Sequence, residues 1–334
     1  MKYHIFRSVA LALLVFASCS TGDVLQQILE NNAQVPVFLE CRPVSPTEIA
    51  FRFSQPVRVI SLNFDPALEV DSVEEGEEVN VFFTQSPGEG RKITADILVE
   101  DSSANTLNVI VPFRTRNDRM PKLIFNEIRT EYSRPRVEFV EFFVLEGGNL
   151  GAMRLFIAGH SISKPAYEFA PIEVKAGEYI TLHLRTIEEG TADETGTNLA
   201  LSGGTGSRDD ARDLWVPGAV KLVRKTDALW LLDQDDRILD ALLLSENPGP
   251  AWANQNIAAA AELFGREKAW LPSDGAAAGW VPGPSDAVIT AGTTATRTIN
   301  RDESLTPSPR AENWYVTVTS GNSPGRQNDP RRFN

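Results

Sequence analysis

The chain has 334 residues, of which 42% are hydrophobic and 23% charged, enough apolar material for one large domain or two ordinary ones. Acidic residues outnumber basic ones 45 to 32, a formal net charge of −13, so the basic footprint of a nucleic-acid binder is missing and no nucleic-acid partner is expected. Two cysteines and three histidines leave little material for a disulfide scaffold or a His/Cys zinc cluster, and no cofactor is expected.

Lys2 and Arg7 precede an uncharged apolar run from Val9 to Ala17. The run is too short to span a bilayer and fits a secretory signal. It ends in Phe16-Ala17-Ser18-Cys19. This ending resembles the lipobox of bacterial lipoproteins, in which small residues precede a cysteine that is acylated and becomes the new N-terminus. Phe16 stands where that pattern usually has Leu. The resemblance implies a signal peptide over 1–18, lipidation of Cys19 and a palmitate-type anchor. It also implies a bacterial cell-envelope location, on the periplasmic or the cell-surface face. Several acyl chains on one residue anchor stably, at ~0.8 kcal/mol per buried CH2. The alternative is an ordinary cleaved signal with a coincidental cysteine. Cleavage before Cys19 leaves 30 basic against 45 acidic residues. Cys41 is then the remaining thiol, in the apolar run Val37–Cys41, and reads as a small buried hydrophobe.

Residues 19–35 form a polar tether with a short helix candidate at Asp23–Asn31. From Pro36 the pattern changes to short strand-like runs. Glu48–Phe53 alternates polar and apolar, and Val57–Phe64, Val79–Phe83, Ile93–Val99 and Thr106–Phe113 read similarly. Turn residues at Glu75-Gly76-Glu77 and Ser86–Gly90 separate them, which predicts a β-sandwich over 36–118. Phe53-Ser54-Gln55-Pro56-Val57 resembles the opening of bacterial Ig-like domains of cell-surface proteins. Arg114–Pro121 reads as a short linker.

A second series of strand-like runs follows: Leu123–Ile128 with Asn126-Glu127-Ile128, then Val137–Phe143, Leu155–Gly159, Tyr167–Phe169 and Ile172–Ile180. Leu229–Asp233, the turn Gln234-Asp235-Asp236 and Arg237–Ala241 read as a hairpin. Asn313–Val316 and Ser323-Pro324-Gly325-Arg326-Gln327-Asn328 close the series. In this order the phrases resemble the lamin-tail domain, an Ig-like sandwich, over residues 122–330. His160 stands where that family has Trp, and Asp236 replaces its turn Gly. The resemblance implies an all-β fold: two Ig-like β-sandwich domains in tandem, with a short helical insert in the second. Two inserts interrupt it. Residues 188–213 are rich in Gly, Thr and acidic side chains and read as a mobile loop. Residues 248–284 carry a helix candidate, Asn254–Phe264, ended by Gly265.

Candidate chemistry is sparse. Glu138 and Glu141 are three apart, so a regular strand points them to opposite faces and makes each a structural carboxylate. Asp233, Asp235, Asp236 and Asp240 suggest a weak calcium loop, without the glycine and twelfth-position Glu of an EF-hand, and hairpin chemistry explains them equally. Gly203–Ser207 lacks the lysine of a phosphate loop. His183 alternates in a strand and is expected to be half exposed. Trp252, Trp270 and Trp280 lie in the helical insert. They either pack it onto the sandwich or form an exposed aromatic platform for a glycan or protein partner. Arg326, Arg331 and Arg332 form a local basic patch.

These features predict a non-enzymatic, membrane-anchored exported lipoprotein, held to the membrane through lipidated Cys19. It would act as a binding or envelope-organising module with a protein or glycan partner. An alternative is an adhesin-like surface protein that binds host or matrix partners. A third, an accessory domain of an envelope hydrolase, needs two carboxylates that converge in a pocket.

Overall fold

The computed structural model describes residues 35–273 and 279–333. The expected signal peptide over 1–18, Cys19 and the helix candidate Asp23–Asn31 lie outside the described residues. The regular structure of the described chain is mostly strands, with a single helix of more than one turn. The sheets are mainly antiparallel; Tyr179–His183 with Arg212–Trp215 and Ile238–Ser245 with Val288–Ile289 alone pair parallel among the described residues.

The first unit holds β1 (Phe38–Ser45), β2 (Glu48–Asp65), β3 (Val70–Glu74), β4 (Gly76–Phe83), β5 (Lys92–Asp101) and β6 (Thr106–Arg114). They form one continuous sheet, in the order β3-β4-β2-β5-β6, with β1 also paired to β2. Two strands expected from the sequence, Glu48–Phe53 and Val57–Phe64, are halves of β2. Pro56 has no N–H to donate, and it falls in the register break between Arg52 and Val57. Before the break β2 pairs with β1 and β4; after it, Val57 still meets Gly76 of β4 while the rest of the strand pairs with β5. The inward face carries Phe51, Phe53, Val79, Val81, Ile97 and Val99, all buried. Cys41 packs, half-buried, against this core, and burial pushes its thiol pKa up to about 12.

The second unit continues with β7 (Lys122–Arg129), β8 (Phe139–Glu146), β9 (Gly148–Asn149), β10 (Arg154–Ile157), β11 (Tyr167–Glu168), β12 (Glu173–Val174) and β13 (Tyr179–His183). Then come β14 (Arg212–Trp215), β15 (Asp227–Leu232), β16 (Ile238–Ser245), α1 (Gln255–Glu267), β17 (Val288–Ile289), β18 (Ile299–Arg301) and β19 (Trp314–Val316). A six-stranded sheet has the order β14-β13-β8-β7-β18-β19; a five-stranded one has β11-β10-β15-β16-β17. A continuous core joins them through Phe125, Phe142, Leu182, Leu229, Leu231 and Leu242.

The helix begins where the sequence places it. Asn254 Oδ1 accepts from the amides of Asn256 and Ile257, a regular N-cap. Ile257, Ala260, Ala261 and Phe264 face inward, the i, i+3, i+4, i+7 stripe of an amphipathic helix. Its end differs from expectation. The helix passes through Gly265 and stops at Lys268, whose φ is +56°. Gly265 serves close packing instead: a Cβ there would lie 2.6 Å from the Trp280 carbonyl oxygen.

Arg114–Pro121 is a clamp rather than a free linker. Asn117 is buried, and its Nδ2 donates to the carbonyls of Asn149 (2.7 Å) and Gly151 (2.9 Å). Arg119 pairs with Glu89 of the first unit (2.8 Å) and Glu173 of the second (2.5 Å). Gly90 and Gly151 touch across the junction, where a Cβ on Gly90 would lie 2.3 Å from the Gly151 carbonyl carbon.

Candidate functional site

The outer face of the six-stranded sheet is not solvated. Strand registers set Asn300, Glu127, Glu141, Thr181 and Asp213 side by side across it. Two residues along, Arg129, Phe139, His183 and Trp215 form a second row. All nine side chains belong to buried residues. The Arg129 guanidinium lies 4.7 Å over the Phe139 ring. His183 stacks on Trp215 at 3.8 Å, with 10° between the planes.

Two segments cover these rows. The tail supplies donors to the acids: Ser323 N and Oγ donate to Glu127 Oε2 at 3.0 Å, and Gly325 N donates to Glu141 Oε2 at 2.5 Å. Asn328 donates to the Arg301 carbonyl and accepts from Asn300, both at 2.9 Å. The 188–213 segment, expected as a mobile loop, is instead packed down. Buried Glu194 accepts from the amides of Leu201, Ser202 and Asp213. Trp215 Nε1 donates to Ser202 Oγ (2.7 Å). Its glycines permit this closeness: a Cβ on Gly204, whose φ is +103°, would sit 3.0 Å from the Trp215 ring. The expected half-exposure of His183 fails for the same reason. Its Nε2 lies 2.7 Å from Asp213 Oδ1 beneath that cover.

Electrostatics follow burial. Desolvation, then the neighbouring Glu127 carboxylate, raises the pKa of Glu141 well above the ordinary carboxylate range. Desolvation raises Glu127 as well. The pair therefore favours holding a proton. Burial lowers His183 despite Asp213, favouring the neutral imidazole. Burial also lowers Arg129, to about 10.

The expected candidates scatter. Glu138 is buried but contacts Arg185 (2.6 Å), away from the partners of Glu141. The carboxylate that joins Glu141 is Glu127, its cross-strand neighbour; only strand register, invisible to residue spacing, reveals that pair. Asp233 caps its own turn through Asp235 N and Arg237 N. Asp235 faces Arg116, Asp236 pairs with Arg154 and Asp240 with Arg301. Among the described residues no cluster of three or more His, Cys, Asp or Glu could hold a metal. The three tryptophans do not share one exposed face. Trp270 is fully buried and donates to the Asp286 carbonyl (2.8 Å), while Trp252, half-buried, donates to that of Pro282 (2.9 Å). Trp280 packs partly buried against the same core. These three pack the insert onto the sandwich. Arg331 and Arg332 are paired with Asp329 and Asp302.

A groove of about 940 Å3 lies beside α1 on the five-stranded sheet. Phe156 and Trp230, stacked at 5.1 Å, contribute to its floor with Leu232 and Leu263. Lys122, Arg237, Arg266 and Lys268 line its rim.

A protein of Treponema pallidum (strain Nichols), described as uncharacterized, is 29% identical over 223 residues, covering 62% of this chain and 55% of its own length. The chain thus spans about half the length of that relative. No solved structure matches. Residues 121–316, from the clamp to the last residue of β19, match the family model TP_1001_2nd, described as "protein second domain", and with more than half of its length matched the chain belongs to that family.

Proposed function

We propose that the protein is a non-catalytic binding or envelope-organising module, exported and held at a bacterial membrane by acylated Cys19. The observation that carries the non-catalytic part is the commitment of the acids. Glu127 and Glu141 do converge, but beneath the tail, with their oxygens engaged by Ser323, Gly325 and Asn126. A general acid or base must reach a substrate proton, and these are buried under backbone. The anchor rests on the lipobox resemblance, and no helix among the described residues is long and apolar enough to cross a membrane.

We also infer that the family's second domain is lamin-tail-like. Asn126, Glu127, Glu141 and the Ser323–Asn328 tail, the phrases that carry the likeness, meet in one hydrogen-bonded layer. Asp236 takes φ +62° in the turn where that family has Gly.

The test is membrane fractionation with labelled palmitate, for the native chain and Cys19→Ala. Label and membrane association lost together in Cys19→Ala is the expected result. A Cys19→Ala chain that stays in the membrane fraction would refute the anchor. Protease accessibility in intact cells then separates a cell-surface face from a periplasmic one.

A further inference from the structure

We infer that the groove beside α1 binds a single-chain lipid with an acidic head group. This names a ligand for the binding module proposed above and does not depend on the anchor.

The argument starts from the sheet. The helix covers part of the five-stranded sheet's outer face, through Phe264 against Trp230 at 5.8 Å. The groove is the uncovered remainder. Its volume, about 940 Å3, falls within the range of small-molecule pockets. Its apolar surface is mainly aliphatic, from Leu232, Ile238, Leu239 and Leu263, and Ile162 at its margin is 43% exposed. Flexible aliphatic walls suit an acyl chain.

The charge on the groove runs against that of the chain. Five basic residues line it against three acidic ones, in a protein of net charge −13. All three acids are already matched: Asp236 to Arg154 at 2.6 Å, Asp240 to the lining residue Arg301 at 2.8 Å, and Glu267 to Arg266 at 3.0 Å. Lys122 meets Glu146, Arg237 meets Asp235 and Arg266 meets Glu267 only through exposed side chains, and such pairs hold little energy. Lys268 adds a second observation. It ends α1 in the left-handed region, at φ +56°, where glycine is the unstrained choice. A cation held there at a conformational cost is available to an anion at the rim.

The test is calorimetric titration of the full chain with dodecanoate, dodecyl phosphate and dodecanol, each below its aggregation threshold. One saturable site for the two anions is expected, with dodecanol at least about tenfold weaker. Arg266→Glu combined with Lys268→Glu should weaken both anions about tenfold and leave dodecanol unchanged. Both side chains are exposed. Should that variant melt early, Lys122→Glu on the other wall provides the same reading. Tighter binding of dodecyl phosphate assigns a phosphorylated head group; tighter dodecanoate assigns a free fatty acid. No saturable site, equal binding of anion and alcohol, or anion binding indifferent to charge reversal would overturn the inference. A chain that fractionates through Cys19 yet binds no amphiphile loses this inference and keeps its anchor.

Discussion

Glu141 shows how a residue's neighbours decide its chemistry. In water it would be ionised at neutral pH; beside Glu127 and under Gly325 its pKa rises well above that of a free carboxyl. A raised carboxyl pKa means the folded state keeps a proton that the unfolded state has lost, so stability falls as pH rises from near 4.5. Asp227, pushed up to about 6 by burial, contributes to the same decline, but its window closes near pH 6. Between pH 6.5 and 8.5 the decline in melting temperature comes from Glu127, Glu141 and Asp240, the carboxyls that burial raises, and a substitution at Glu141 separates the glutamate share (window bounds ~1 unit). Glu141→Gln supplies a neutral group beside Glu127. It should flatten that decline and gain roughly 1–2 kcal/mol at pH 8. An unchanged slope would show that both carboxyls are ionised.

At the scale of elements, two positions reverse ordinary helix rules. Gly-to-Ala changes inside helices usually stabilise by about 0.5–1 kcal/mol. Gly265→Ala should destabilise instead, because its Cβ would collide with the Trp280 carbonyl. Lys268→Gly should stabilise by about 1 kcal/mol by relieving the left-handed backbone, while weakening any anion at the groove. Thermal melts of both variants check these signs. The tail is the other decisive element. Deleting residues 323–334 removes the donors to Glu127 and Glu141 and uncovers the acid row. Each hydrogen bond to a charged group lost in this way costs about 1.5–3 kcal/mol. The truncated chain should melt lower, but with a shallower decline at high pH, because water reaches both carboxyls and their pKa values fall back.

For the whole molecule, the junction determines how the two units behave. Asn117, Arg119 and the Gly90–Gly151 contact leave little room for a hinge. Gly90→Val should pry the contact open, since even a Cβ meets backbone at 2.3 Å and φ is +60°. Faster protease cleavage within 114–121, with little loss of melting temperature in either unit, is the expected outcome. Cleavage at the native rate would mean that the other clamp contacts suffice.

Alternation of polar and apolar residues made the all-β class legible, because a strand's side chains follow a period of two wherever one face is buried. Asn254 and the apolar stripe of α1 were equally plain, since a helix start is written in local hydrogen-bonding chemistry. Local chemistry could not indicate that Glu48–Phe53 and Val57–Phe64 join into one strand, because a partner change at Pro56 depends on where β5 lies. Nor could composition foresee that a Gly-rich segment is packed down: Gly203 and Gly204 read as flexible in sequence and serve close approach in the fold. The pairing of Glu127 with Glu141, 14 residues apart, and their burial by a tail almost 200 residues away come from register and docking alone. The sequence by itself determined strand and helix, because those follow from nearest neighbours along the chain. The tertiary structure alone decided which polar groups lost water, because burial is a property of what packs above a residue.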